Sequence, residues 1–399
     1  MKSDRPKVLH TICGRPMVEY VLDLARSLKI KNTVVVLGHK ADEVKKSLRP
    51  GVKVVIQKRL VGTADAVKVA LSALKNFKGT VLILYADIPL LKKETIKSLI
   101  ERHIRDNLDA TILTATIDKP KGYGRILRDK LASISGIIEE KDADDYEKEI
   151  KEINTGIICF DKEKLVSALR GVRPNNRKKE YYLTDAVSMF YKKGYLVTSA
   201  KISDINEAMG INSRVDLARA NRIMQQRINE KLMLGGVGII DPVSTFISYG
   251  AKIGRDTTIY PFTVIENDVK IGKRCLVGPF AHLREGTRIE DDCLVGNFLE
   301  IVRSRLSAKT LVKHFSYLGD VRIGRNANIG AGTVVANFDG KKKHVAVIGD
   351  NAFVGSDTVL VAPVRVGKGA RTGAGSVVLK NVAGGTTVVG VPARPINKR

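Results

Sequence analysis

Aliphatic residues recur at every sixth position through residues 253–378, often with a glycine directly behind. Ile253-Gly254, Ile271-Gly272, Val277-Gly278, Val295-Gly296, Ile323-Gly324, Ile348-Gly349 and Val366-Gly367 are clear cases. Helices repeat at about 3.6 residues and half-buried strands at about 2, so this period marks a repeat architecture. If each repeat is one short strand and a corner, three repeats close a triangular coil of eighteen residues. The steps 253 to 271, 271 to 289 and 348 to 366 show that longer period. The pattern predicts a parallel β-helix prism, with branched aliphatics stacked inward in ladders and glycine or small polar residues at the corners. The rhythm breaks at 301–318 and at 336–346. Insertions in a solenoid become loops on one face, often the binding face.

From 16 to 202 the pattern is different. Helical spacing at 17–28, 41–48, 63–77 and 92–105 alternates with apolar or β-branched runs at 33–37, 52–56, 81–84 and 110–117. Continuous apolar strands between amphipathic helices predict a mostly parallel sheet covered on both faces, with ligands bound beyond the carboxyl ends of the strands. A long helix over 213–234 then carries Leu217, Met224, Ile228 and Leu232 on one face. Asn212 or Ser213 can cap it and Gly235-Gly236 end it. It is expected to link the two halves, its stripe being too short to favour a coiled coil.

A chain of 399 residues accommodates two domains. No apolar run approaches the ~18–20 residues needed to span a bilayer, and the charged Met1–His10 stretch carries no secretory signal. Cys13, Cys159, Cys275 and Cys293 lie far apart without a Cys-x-x-Cys, which predicts reduced thiols in a cytoplasmic protein. The formal charge of +26 is unusual. A lysine-rich solvated surface, anionic ligands and nucleic acid all fit it. No aromatic-interleaved basic motif accompanies the charge, so nucleic acid is not expected.

Several polar signals sit at strand ends. Asp87, in Tyr85-Ala86-Asp87-Ile88-Pro89-Leu90, is a carboxylate at the tip of an apolar strand and suits a divalent cation. Gly62-Thr63 opens a helix after Gln57, where backbone N–H groups favour anions or base edges. Gly122 to Ile126, Ile138 to Ala143 and Ile153 to Ile157 fit turns or strand ends equally well. In the repeat half, His314 beside a break fits a general base, a metal ligand or a structurally satisfied residue. His282, His314 and His344 lack the close pair of a three-histidine zinc site, so zinc hydration is not expected.

Taken as a set, Pro6-Lys7-Val8-Leu9, Tyr85 to Leu90, Glu139 to Ala143, Glu152 to Gly156, Glu180 to Asp185 and Gly210-Ile211-Asn212 resemble the bifunctional N-acetylglucosamine-1-phosphate uridyltransferase/glucosamine-1-phosphate acetyltransferase family, over essentially the whole chain. In the repeat half the resemblance rests on Lys313 to Asp320 and Asn328 to Gly332. It implies an α/β nucleotidyltransferase fold with a Rossmann-like mixed sheet over 1–212, a linker helix over 213–235, and a left-handed parallel β-helix over 236–399. It also implies Mg²⁺, with acetyl-CoA and UTP as co-substrates, and a homotrimer with the acetyltransferase site at subunit contacts. The implied roles follow residue by residue. Lys7 neutralises triphosphate charge, Gln57, Gly62 and Thr63 read the uracil ring, and Gly124, Glu139 and Asn154 hold the sugar. Asp87 and Asn212 coordinate the metal. His314 is the general base for glucosamine-1-phosphate, which Arg284, Tyr317 and Asn328 hold, and Ala331, Asn337, Phe338, Ser356 and Ala374 line the acetyl-CoA groove.

The chain departs from the family pattern at several points. The family opens with a buried strand and a loop ending Gly-Thr-Arg-Met, and Met1 falls at that methionine. A longer natural protein is therefore expected, and this chain is expected to be weak in uridylyl transfer. Without that strand two neighbours are left unpaired on one edge, at about 1–3 kcal/mol for each buried group. Val302 stands at a phosphate-binding lysine, with Arg303 beside it. Lys313 replaces a glycine, Phe338 stands where tyrosine is common, and the tail Gly390 to Pro395 resembles simpler hexapeptide acetyltransferases. These changes bear on affinity rather than fold. The expected function is therefore bifunctional synthesis of UDP-N-acetylglucosamine. The alternatives are an acetyltransferase alone, an enzyme for a different sugar phosphate, or a scaffold that uses the positive charge.

Overall fold

The computed structural model describes Met1–Ile396. It forms two compact units, Met1–Ile12 with Pro16–Ala220, and Cys13–Arg15 with Asn221 onward.

The first unit is built on the ten-residue strand Glu152–Asp161, whose interior is buried almost throughout. One edge pairs antiparallel with Ala110–Thr116, which pairs parallel with Val197–Lys201. The other edge is shared. Thr80–Ile83 takes its carboxyl-terminal half, and Gly124–Arg128, in a hairpin with Ile134–Ile138, takes its amino-terminal half. The expectation of a mostly parallel sheet is corrected here: the sheet is mixed, and most of its pairings are antiparallel. The hairpin escapes pattern reading because Arg125, in its middle, is buried and paired with Glu140 at 2.6 Å, which erases the apolar/polar alternation of a half-buried strand. Val34–Leu37 and Lys53–Ile56 form a separate parallel pair. Among the described residues Val34–Leu37 and Thr80–Ile83 thus each have one strand partner. Apart from the buried Leu37, the residues of these two strands are half-buried. Helices run over Met17–Ser27, Ala41–Ser47, Thr63–Ser72 and Lys93–Arg105. The third stops five residues short of the expected 77, its chain continuing in turns.

The second unit is a three-sided stack of short parallel strands. The first face begins with Gly238–Ile239 and Thr258–Ile259, the second with Phe246–Ile247 and Val264–Ile265, the third with Lys252–Ile253 and Lys270–Ile271. In most pairs the second residue points inward and is buried, so Ile259, Val277 and Val295, and likewise Ile265, Leu283 and Ile301, stack into one apolar core. Full burial of each such side chain contributes about 1.5–3 kcal/mol. The two expected breaks differ in kind. Leu294 pairs Leu311 and Leu311 pairs Asn328, steps of 17, so the first break is a shortened coil and not the loop expected there. The step from Asn328 to Phe353 is 25; the second break is a true insertion. Glycine is forced where coils approach most closely: a Cβ on Gly330 would stand 2.5 Å from the amide nitrogen of Ser356.

The helix Arg214–Leu234 forms as expected. Ser213 caps it through Asp216, whose N–H donates to Ser213 Oγ (3.1 Å) and whose carboxylate accepts the Ser213 N–H (2.8 Å). Gly235 and Gly236 end it, the latter at φ +89°. Its stripe is consumed within the chain, Leu217 and Met224 being buried and Ile228 and Leu232 packing on the β-helix core. The buried Gln225 exchanges two bonds with the Ile247 backbone, and the buried Asn229 donates to the carbonyls of Pro242 and Thr245. These side chains satisfy the open end of the second face, where no further coil supplies backbone partners. Replacing Ile265 by Ala, which empties a fully buried rung, is expected to lower unfolding free energy by about 2–5 kcal/mol, read from denaturant melts of the β-helix signal.

Candidate active sites

In the first unit Thr63, Asp87, Gly124, Glu139 and Asn154 line one cleft of about 420 Å³. A β-bulge shapes its floor. The pairing of Ala110–Thr116 with the central strand slips between Ile112 and Thr114, opposite Gly156, whose φ is +85°. A Cβ on Gly156 would stand 2.9 Å from the Tyr85 ring, so only glycine admits both the bulge and the tyrosine. Asn154 accepts the Gly156 N–H at 2.9 Å, which fixes the amide in the cleft. Gly62, at φ +126°, lies against the Tyr181 backbone, and Thr63 Oγ1 accepts the Leu183 N–H at 2.9 Å. Gln57 is buried outside the cleft, donating to the Gly62 carbonyl (3.1 Å) and to Asp65 (2.9 Å); it braces the loop.

Lys7 Nζ lies 2.5 Å from Asp87 Oδ2 and 2.6 Å from Asn212 Oδ1. The two proposed metal ligands thus converge on one cation position. Two oxygen ligands suit Mg²⁺, which keeps waters or substrate phosphates in the rest of its shell. Sequence reasoning names Glu139 as a site residue but not Asp142 or Asp185, whose charges lie close to it. Burial raises the pKa of Glu139, against a bond from Thr184 at 3.1 Å. Burial, then Glu139 and Asp142, push Asp185 up to about 6. Tyr85 is pushed up to about 12 by burial and by Glu139 and Asp87, so it is a neutral donor or acceptor at neutral pH.

In the second unit the outward residues form columns. The register of the first face carries His314, Ala331, Ser356 and Ala374 to equivalent positions of successive coils, along the edge between the first and second faces. Asn328 points outward on the first face. Tyr317 does so on the second, in register with Glu300 and Val334. Arg284 lies at the far end of the second face, with Nη1 2.7 Å from Glu300; Asn337 and Phe338 follow the strand Val334–Ala336. The residues expected to serve one site therefore spread around an edge of the prism. The ring of His314 is exposed and has no hydrogen-bond partner among the described residues, so it is not structurally satisfied. His282 instead pairs with Glu266 at 2.9 Å and His344 with Asp339 at 2.7 Å. Val302 is buried. Arg303 is held at both ends of Asp320 (2.7 Å each), whose pKa that guanidinium lowers, and Asn337 donates to the same carboxylate at 2.5 Å.

An open cleft of about 650 Å³ lies beside Tyr317, lined also by Phe280, Phe298, Glu300 and Phe315. Phe262, Phe280 and Phe298 stack with ring centroids 4.9 Å apart. All three are exposed and at positive φ, a conformation bulky residues rarely adopt. This ladder was legible as phenylalanine at every eighteenth position, but its apolar outward character was not weighed.

A nucleotide-binding α/β unit followed by a hexapeptide β-helix defines a two-domain transferase. The family described as MobA-like NTP transferase domain matches residues 1–147. The bacterial transferase hexapeptide family (six repeats) matches 250–285, 268–303 and 346–380. The chain is 39% identical to the bifunctional protein GlmU of Clostridioides difficile, over 91% of this chain and 86% of that protein. It is 42% identical to that of Heliobacterium modesticaldum, over 98% and 92%, and 40% identical to that of Geobacillus thermodenitrificans, over 100% and 94%. The chain belongs to the bifunctional GlmU family. Its β-helix is the left-handed hexapeptide type, and its activity is two-step synthesis of UDP-N-acetylglucosamine, by acetyl transfer and by uridylyl transfer.

The raised Asp185 makes a testable signature. Its folded carboxyl holds a proton that the unfolded chain, near 3.8, has released. Stability present below pH ~4 is therefore lost as pH rises through about 6. Asp185→Asn should stabilise the first unit above that pH, by on the order of 1 kcal/mol after allowance for solvent screening. The gain should vanish at pH ~4 in melts recorded across the range.

Proposed function

We propose that acetyl transfer runs at the edge carrying His314, and uridylyl transfer in the cleft holding Asp87 and Glu139. The functional division falls at 212/213, with the linker over 213–235 and the β-helix domain over 236–399, of which 397–399 lie outside the described residues. In the first half-reaction the amino nitrogen of glucosamine-1-phosphate attacks the acetyl-CoA carbonyl carbon. His314 takes the proton, the C–S bond breaks, and the CoA thiolate leaves. An imidazole is the side chain suited to taking this proton. Arg284 clamps the phosphate, Tyr317 and Asn328 orient the sugar, and Ala331, Asn337, Phe338, Ser356 and Ala374 line the acetyl-CoA groove. The observation that carries this reading is the unpartnered, exposed His314 ring in one column with Ala331, Ser356 and Ala374.

In the second half-reaction a phosphate oxygen of N-acetylglucosamine-1-phosphate attacks the α-phosphorus of UTP and pyrophosphate departs. Lys7 neutralises the triphosphate, Thr63 and the loop at Gly62 braced by Gln57 take the uracil, and Gly124, Glu139 and Asn154 hold the sugar. Asp87 and Asn212 would hold Mg²⁺, which supplies charge neutralisation on the phosphates. Acetyl-CoA and UTP are supplied in the cytoplasm, where we place the enzyme.

His314→Ala is expected to cut thiol release from acetyl-CoA by about 10²–10⁴-fold, with pyrophosphate release from UTP and N-acetylglucosamine-1-phosphate unchanged. Undiminished thiol release would undo the assignment.

The working form is a homotrimer. Asn328 and Tyr317 diverge around the His314 edge, so a pocket that uses both is completed by a neighbouring copy. The exposed phenylalanine ladder on that edge supplies the apolar contact. Introducing two carboxylates in the double variant Phe280→Glu/Phe298→Glu should bring the mass by light scattering down towards 43.7 kDa. Thiol release should fall with it while pyrophosphate release persists. A monomer that still acetylates would refute the shared site.

A further inference from the structure

The third face of the β-helix has no part in either reaction, yet it has the most regular chemistry on the molecule. Its seven outward positions are in register from coil to coil. Six of them are cations: Lys252, Lys270, Arg288, Arg305, Arg322 and Arg365; the seventh is Val347. Adjacent rungs lie about 4.8 Å apart, so the row runs for about 29 Å. Like charges directly opposite on paired strands repel, and folding alone gives no reason to repeat them.

Two of the six are neutralised, Arg288 by Asp268 at 2.8 Å and Arg305 by Glu290 at 2.6 Å. Lys252, Lys270, Arg322 and Arg365 have no ion-pair partner among the described residues, and all four are exposed. Three positions beyond the row, the corner leaving the face carries Arg255, Lys273, Arg325 and Lys368, with Asp291 and Asp350 in the same column. The phenylalanine ladder lies on the edge between the first and second faces, opposite the third, so assembly through that edge leaves the cationic face in solvent.

We propose that this face docks peripherally on an anionic lipid bilayer. Its shape and chemistry select that occupant. The face is a sheet of strands two or three residues long and offers no protruding helix or ribbon to enter a duplex groove. Its outward positions hold no aromatic ring, which single-stranded nucleic acid needs for stacking. They hold one half-buried valine and otherwise only cations, so nothing inserts below the headgroups. A row of four unpaired cations meeting a planar array of anionic headgroups is attractive within a Debye length and reversible by salt.

The test uses the full chain and sedimentation with vesicles, either phosphatidylcholine alone or containing about 30% phosphatidylglycerol, in salt from about 0.05 M to about 0.5 M. Binding to the anionic vesicles alone, lost at high salt, is the expected result. Lys252→Glu/Arg322→Glu should weaken it by at least about tenfold and keep thiol release at the parent level, which reports a folded β-helix. Lys45→Glu/Lys46→Glu, the same charge change on the helix Ala41–Ser47, should leave most of the binding. Equal losses in the two variants, binding to neutral vesicles, or tighter binding to random duplex or single-stranded DNA at the same salt would each overturn the proposal.

Discussion

Parallel backbone pairing between successive coils is the constraint on which most of this molecule depends. Once Thr258 pairs Leu276 and Leu276 pairs Leu294, the inward or outward direction of every side chain in the coil is fixed. A slip of one residue would turn a whole core ladder to solvent. The inward positions are therefore committed to branched aliphatics, and the outward ones are left free for other uses. The chain uses them by column: phenylalanines along one edge, the histidine and its small companions beside them, and cations on the face behind. Even the departures obey the pairing. The coils around His314 lose one residue each without losing register, and the extra residues before Phe353 leave as a loop pinned by Asp339, which accepts from the Lys341 and Lys342 amides and from His344.

The first unit solves its problem differently. Its cleft depends on a single irregularity in a long strand. Gly156 allows the bulge, the bulge aims Asn154, and the space a side chain would need is taken by Tyr85. Around that point burial gathers carboxyls whose charges disfavour one another, Glu139, Asp142 and Asp185. Arg125, the one fully buried guanidinium nearby, faces Glu140 and the carbonyls of Tyr123 and Lys148 instead. Glu139 accepts the Thr184 hydroxyl and Asp142 the Arg177 N–H.

The repeat half was legible because its period is enforced at every rung; the sequence shows the ladder directly, down to the linking helix and its cap. The α/β half was legible as to kind but less so in its pairing. Pattern reading sees apolar runs, and the antiparallel returns to Glu152–Asp161 depend on tertiary partners. The hairpin at Gly124 is hidden by buried Arg125, and the shortened coil at Leu311 reads as a loop because a missing residue and an added one disturb a period alike. Among site residues, Lys7 meets Asp87 and Asn212, and Thr63, Asp87, Gly124, Glu139 and Asn154 line one cleft. Gln57 fell behind it, since its amide is used by Gly62 and Asp65. The approach of Asp185 to Glu139 and Asp142 and the phenylalanine ladder join residues far apart along the chain, which pattern reading does not bring together.

The way Gln225 and Asn229 close the second face has a consequence for how such a chain can change. Each coil bonds only to the coils beside it, and the end of the stack is sealed by side chains from a helix that meets backbone carbonyls, which every coil presents alike. A whole coil can therefore be gained or lost between the seal and the histidine edge, and the seal fits the next coil as well as the last. Length, in this half of the molecule, is a variable that evolution can adjust in units of one turn without touching the chemistry.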